Sequence, residues 1–353
     1  MYIITGSTGL IGYSTSEYFL KKGIKIIGID NDLRSYFFGK MGSNYWKAKK
    51  LKQNKHYNHQ NIDIRNKKKI LNIFKKYSKK IKAIIHTAAQ PSHDWAAREP
   101  FTDFDVNANG TLNLLEGFRK YCPEATFVFT STNKVYGDTP NFLPLVEQKY
   151  RYEINNNHKY FKFGIDEKMS LDHTTHSLFG VSKTSADLLV QEYGRYFKLK
   201  TVCFRGGCLT GENHTGAQLH GFLSYLVKTI FEEKKYFVYG YKGKQVRDNI
   251  DSSDVASFTE LYINSPKSAE VYNIGGGKEN SISILEVINY LQENNKKKMK
   301  WNYVDENRLG DHICYYTDLA KIKSHYPGWG LNKSLNTIID NIYHSWSNKK
   351  KFD

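Results

Sequence analysis

Three glycines, Gly6, Gly9 and Gly12, stand in the stretch GSTGLIG, directly after the apolar run Tyr2–Thr5. Glycines at such a turn let backbone approach a pyrophosphate, which rests on the amides of the helix that follows. Asp30 closes the next apolar run, KIIGID, where an acid accepts hydrogen bonds from an adenosine ribose and repels a 2′-phosphate. Arg34, four residues on, is the one nearby group that could accommodate such a phosphate. Later in the chain, HSLFGVSK puts Lys183 four residues after Phe179, a spacing that sets both on one helix face. A tyrosine there would be a proton carrier, but Phe179 has no proton to give or take. The loop QPSHDW holds His93, whose unperturbed pKa is about 6.5, with Asp94 beside it to orient it. Lys183 could itself act as a base if burial lowered its pKa. Arg247 and Arg308 carry guanidinium forks of the kind that grip two phosphates.

The elements that must position these residues alternate in the first half of the chain. Strands are expected at 2–5, 25–30, 82–89, 125–131 and 200–205, with a weaker one ending at 61–64. Helices are expected over about 10–22, 70–77, 107–121 and 182–197. Such alternation predicts an α/β fold, a doubly wound parallel sheet of Rossmann type. The polar segment 138–175 is too long for a plain connection and is expected to be functional. After Arg205, short strands at 236–240 and 271–276 mix with helices near 217–232, 284–293 and 333–346. The reading is a Rossmann domain over 1–205, with 246–268 crossing back to it. A smaller mixed α/β substrate domain would comprise 206–245 and 269–353.

Composition narrows the function classes. The 353 residues carry a formal charge of +17, which at first sight suggests nucleic acid. The lysines lie in short scattered runs, as at 67–69, 79–80, 296–298 and 349–351, and arginine is sparse. Solvated helix faces are the expectation, not a nucleic-acid surface. No apolar run approaches the roughly 18–20 residues a membrane span needs, and the N-terminus runs into a strand without the charged region of a secretory signal. Cys122, Cys203, Cys208 and Cys314 show no zinc-type spacing and read as reduced thiols of a cytoplasmic protein. No metal is expected.

The GxxGxxG spacing resembles the short-chain dehydrogenases, and the later motifs resemble their extended, nucleotide-sugar-modifying branch. The resemblance implies NAD as cofactor, held by Gly6, Gly9, Leu10, Ile11, Gly12, Asp30, Asn31 and Arg34. Asp63 and Ile64 would lie at the adenine. Ala88, Ala89 and Gln90 of HTAAQ would run along the cofactor, with Asn107 of NANGT and Ser131 nearby. FTSTNKVYGD puts Thr132 at the catalytic hydroxyl position. GKQVRDNI and NRLGDH resemble the two arginine motifs of the substrate domain, with Arg247 and Arg308 on the diphosphate and Asp311 close by. Ser92, His93, Asp94, Asn133, Lys134, Arg205 and Cys208 complete the implied substrate side. STNKVYGD, NGTLNLLE, GKQVRD and YNIGGG resemble most closely the CDP-tyvelose (CDP-paratose) 2-epimerases.

That resemblance implies an NAD-dependent epimerase of a nucleoside-diphosphate sugar, a CDP-sugar by preference, working through a transient 2-keto sugar. A homodimer or homotetramer and a place in lipopolysaccharide O-antigen biosynthesis go with it. In the family a tyrosine takes the hydroxyl proton, and the lysine four residues later lowers its pKa and holds the nicotinamide ribose. Here Phe179 stands at the tyrosine position, and Cys208 stands where a polar substrate residue is usual. The candidate bases are therefore His93, Cys208 and Lys183. Another dehydrogenase, dehydratase or decarboxylase of the branch remains an alternative, as does a non-catalytic binding protein. Asn133 and Lys134, in place of the acidic pair of the dehydratases, argue against that reaction.

Overall fold

A computed structural model describes residues 1–216, 221–295, 298–307 and 310–349. The chain forms two compact units. The first comprises Met1–Val135, Leu178–Arg205 and Ser252–Tyr272, and the second comprises Tyr136–Ser177, Gly206–Asp251 and Asn273–Asp353. The segment 136–177 thus packs with the second unit and not with the first, where the sequence reading put it.

The first unit is built on a seven-stranded sheet. Its order is Glu270–Ile274, Lys200–Gly206, Thr126–Thr132, Ala83–His86, Tyr2–Thr5, Ile26–Ile29, Tyr57–Gln60. The pairings of Tyr2–Thr5 with both neighbours are parallel, as are those of Ile26–Ile29 with Tyr57–Gln60 and of Ala83–His86 with Thr126–Thr132. The central strands IIGI and AIIH are buried along their whole length, as continuous apolar runs must be when helices cover both faces. Ile3, Ile27, Ile84, Leu114, Phe118, Phe127 and Val190 form one core cluster with them. The order reverses between the first and fourth strands, so the loops after Thr5 and His86 open side by side. In a doubly wound sheet that reversal is where ligands bind.

Three expectations change. The third strand is Tyr57–Gln60 and not a run ending at 61–64. Ile64, only 5% exposed, belongs instead to the core cluster, which also takes in Leu114 and Leu115. The apolar run after Glu270 is not part of the second unit's sheets but the edge strand of the first, because Val271 and Tyr272 pack into the first unit's core. The helix expected over 107–121 begins as a π-turn, Asp105–Asn109, and continues as an α-helix, Gly110–Tyr121.

In the second unit, Val246–Asp251 pairs antiparallel with Ser281–Ser283 and parallel with Cys314–Tyr315 and Cys208–Thr210. Tyr236–Tyr239 pairs with Trp301–Val304. Helices Phe222–Phe231, Ile284–Asn295 and Leu335–Lys349 enclose a core of Leu226, Val227, Val238, Val287, Ile338 and Ile339. The polar segment 138–175 contains a short hairpin, Leu145–Glu147 with Tyr152–Ile154. Among the described residues no helix is long and apolar enough to cross a membrane.

Candidate functional site

The glycine turn has the geometry its sequence demands. Gly6 has φ +62°, a conformation L side chains avoid, and a Cβ on it would lie 2.7 Å from the Ala88 nitrogen. A Cβ on Gly12 would lie 2.1 Å from the Gly6 carbonyl oxygen, so only glycine lets the helix start this close to the strand end. The helix Leu10–Lys21 has no capping side chain and no acid in its first turn. Its leading amides, on Leu10, Ile11 and Gly12, therefore suit an external anion. Asp30 follows the second strand, and its carboxylate accepts from the backbone amides of Thr8 at 2.9 Å and Asp32 at 2.8 Å. Ser7 hydrogen-bonds the Tyr57 hydroxyl at 2.7 Å, fixing the turn from the third strand. These features fit a dinucleotide.

The other cofactor candidates divide. Asn31 donates to Asp63 at 3.1 Å, and Arg65 grips the same carboxylate through Nε and a terminal nitrogen. Burial raises the Asp63 pKa, but the Arg65 contacts outweigh it and hold it below the ordinary value. Arg34 lies over the Phe38 ring at 4.6 Å, and burial pulls its pKa down to about 10 against the charge of Asp32. Ala88 donates to the Thr5 hydroxyl at 3.3 Å, and Ala89 beside it is half-buried. Gln90 is 1% exposed. Asn107, also buried, pairs with the Gln90 backbone in both directions, accepting from its N–H at 2.9 Å and donating to its carbonyl at 3.1 Å. These two side chains hold the loop in place from inside the protein.

Ser92 caps the short helix His93–Arg98 through the Trp95 amide. The Trp95 indole donates to the Phe37 carbonyl at 2.6 Å and anchors the far side. On the helix Ser177–Phe197, Phe179 is 7% exposed and Lys183 is 3% exposed. The His93 imidazole meets the Phe179 ring with centroids 4.9 Å apart and planes at 62°. The one titratable ring of the QPSHDW loop is thus packed against the Phe179 phenyl. The Lys183 ammonium donates to the Thr130 carbonyl at 2.8 Å and lies 4.2 Å from the Phe129 ring centroid. Burial drops its pKa to about 8, with the charge of Asp187 opposing. Thr132, half-buried at the end of the Thr126–Thr132 strand, accepts from the Lys134 amide at 3.2 Å. Asn133 is buried and Lys134 half-buried in the short turn after it.

Two candidates are drawn into the core. Arg205 is 4% exposed and forks onto Asp187, at 2.9 and 3.2 Å. Asp187 also accepts from the Ser131 hydroxyl and the Gln191 amide, each at 2.6 Å. Arg205 was expected on the substrate and Ser131 on the cofactor. Both side chains bond Asp187, which joins the strand of Thr132 to the helix of Lys183.

In the second unit, Arg247 sits on the strand Val246–Asp251, with a terminal nitrogen 3.7 Å from Asp311 and another donating to the Val246 carbonyl. The structure thus brings together Arg247 and Asp311, from the two expected arginine motifs. Arg308 lies outside the described residues. Cys208 is a half-exposed cysteine on the strand Cys208–Thr210, opposite Asn249.

A sequence model of the NAD dependent epimerase/dehydratase family matches residues 2–275. The chain belongs to that family. An epimerase/dehydratase of this kind takes NAD as its cofactor, which agrees with the glycine turn and Asp30. It is 32% identical over 347 residues to the CDP-paratose 2-epimerase of Salmonella typhi, covering 97% of both chains. It is 29% identical to the UDP-glucuronate 4-epimerase of Thermodesulfobacterium geofontis, again covering 97% of both. The solved UDP-glucuronic acid 4-epimerase of Bacillus cereus, in complex with UDP-glucuronic acid and NAD, has the same fold. Its TM-score is 0.80 at 21% identity, over 99% of each chain. Sequence reasoning missed Asp103, Ser182 and Asp187 in this epimerase/dehydratase, all of them buried polar groups behind the candidate residues.

Proposed function

We propose that the protein is an NAD-dependent epimerase that inverts C2 of a CDP-bound sugar, in the cytoplasm and as a dimer or tetramer. The observation that carries this reading is the end-to-end likeness to the CDP-paratose 2-epimerase, together with an NAD-type glycine turn. NAD, when bound, supplies the hydride acceptor for C2 and the donor for its return. His93 takes the proton of the C2 hydroxyl as the C–H bond breaks, and gives it back when the ketone is reduced on its other face. Asp94, its neighbour, orients the imidazole. Thr132 hydrogen-bonds the reacting oxygen, and Lys183 holds the nicotinamide ribose. Arg247 and Arg308 hold the diphosphate, and Asp311 steadies Arg247. Each proton and each hydride removed is returned, so the cycle has no net redox change.

The decisive experiment incubates the purified protein with CDP-paratose and follows the product by NMR. A new C2 epimer, with no change in NAD absorbance, is the expected result. Phe179 favours one other reading, a protein that binds the sugar nucleotide without turning it over. Binding of CDP-paratose without any product would establish that reading instead.

The same reading has two more outcomes. NAD should co-purify, because nothing in the cycle expels it. Denaturing the protein and assaying the supernatant checks this, and a site that is empty and prefers added NADP would reverse the Asp30 argument. Arg247→Ala should weaken CDP binding roughly ten- to a hundredfold, since a charge-assisted hydrogen bond is worth about 1.5–3 kcal/mol. NAD affinity should stay near its original value. Calorimetric titration with each ligand separates the two, and equal loss of both would point to misfolding.

A further inference from the structure

Behind the His93 loop lies a carboxylate to which neither the fold nor the proposed reaction assigns a job. Asp103 is 1% exposed and sits on the short helix Pro100–Phe104, just before the π-turn. One of its oxygens, Oδ1, accepts from the Gln90 amide at 2.7 Å and from the Asn107 amide at 3.0 Å. The Gln90 side chain in turn closes on the backbone of Ser92. Its Nε2 donates to the Ser92 carbonyl at 2.8 Å, and its Oε1 accepts from the Ser92 amide at 2.6 Å. Ser92 is the cap of the helix that begins at His93. On the other side, the Asn107 amide reaches the Ser182 hydroxyl at 3.0 Å, and Ser182 precedes Lys183.

We infer that Asp103 is a positioning residue, whose carboxylate is the common anchor of the loop that carries His93 and the helix that carries Lys183. Burying a carboxylate is costly unless hydrogen bonds compensate. Burial does raise the pKa of Asp103, and bonds from Ser182 and Gln90 with the nearby charge of Lys183 work the other way. Loop and helix could be held by the Gln90–Asn107 pairing alone. The acid adds one acceptor shared by both amide side chains, which ties the Gln90 rotamer to that of Asn107. Gln90 then has one way to grip Ser92, and the imidazole one place to stand against Phe179. A site tolerates only about 0.5 Å of error before rate is lost, and supporting hydrogen bonds supply that precision.

The inference rests on the reading of His93 as the base, but its test does not use turnover. The NAD-loaded protein, labelled at the histidine Cε1, gives one signal for each of its 12 histidines. The His93 signal is assigned by its loss in His93→Gln, and it carries a ring-current shift from Phe179, which Phe179→Leu removes. Asp103→Leu and Gln90→Leu should each broaden that signal or return it to the position of a solvent-exposed histidine. Asp103→Asn, which keeps the Oδ1 acceptor, should preserve it. Circular dichroism and NAD titration check that each variant is folded. Should Asp103→Leu fail to fold, Gln90→Leu breaks the same link from its other end and decides alone. A His93 signal unmoved in a folded Asp103→Leu, or in a folded Gln90→Leu, overturns the inference. A displaced signal combined with full turnover in His93→Ala would keep the anchor and discard the base.

Discussion

Replacing His93 by alanine should lower turnover of the epimerised sugar by roughly 10²–10⁴-fold, the usual worth of a general acid–base, with little change in substrate affinity. The expectation rests on one contact. The His93 ring packs edge-on against Phe179 at 4.9 Å, so the titratable group of the loop stands beside the position where the family resemblance expects a tyrosine. Phe179→Tyr in the same background should restore part of the loss, because Lys183 is buried four residues away with a pKa of about 8 and could tune the new phenol. Steady-state kinetics on the identified substrate decide the matter. Undiminished turnover in His93→Ala would remove the imidazole from the mechanism and leave Lys183 and Cys208 as the groups to test.

The second large effect is on stability. Asp187→Ala should destabilise the first unit by about 3–5 kcal/mol, the cost of leaving one member of a buried ion pair alone. The Arg205 and Asp187 side chains are 5% and 0% exposed, so solvent does little to replace the lost carboxylate. Ser131 and Gln191 would lose their acceptor at the same time. A fall in Tm on the order of 10 °C is expected, measured by circular dichroism on cofactor-loaded protein. The double variant Asp187→Leu with Arg205→Met should recover part of it, since a buried pair replaced by apolar groups of similar size is often tolerated. A Tm within about 2 °C of the parent for Asp187→Ala would mean that water enters the pair.

Much of this could be read in the sequence, and the failures have physical causes. Tyr2–Thr5 and the helix after it were placed to within a residue, because an apolar run, a glycine turn and a helical pattern coincide there. Tyr57–Gln60, which reads YNHQ, carries no apolar period, since it is the sheet's edge and three of its residues are only partly buried or exposed. The run after Glu270 was visible as a strand, but sequence order says nothing about which sheet a late strand joins. The tight glycine turn, the place of Asp30 after the second strand and the helix that carries Lys183 were legible because their spacing is set by local geometry. The bonding of Arg205 and Ser131 to Asp187 was not, because a charged residue at a strand end reads alike whether it meets a ligand or a buried partner. The meeting of His93 with Phe179 joins residues 86 positions apart in number, and no local pattern announces it.

The π-turn at Asp105–Asn109 bears on how this chain can change over generations. Such a turn amounts to one residue inserted into an α-helix. Losing Ala108 or Asn109 from DVNAN would let the helix close up, and everything before the deletion would rotate by about 100° relative to the rest of the helix. Asn107 could not then face Gln90 while Leu114, Leu115 and Phe118 kept their seats in the core. The length of this segment should therefore be fixed among descendants that keep the site, even where its residues drift. Insertions and deletions should collect instead in 138–175, whose short hairpin and turns can absorb them.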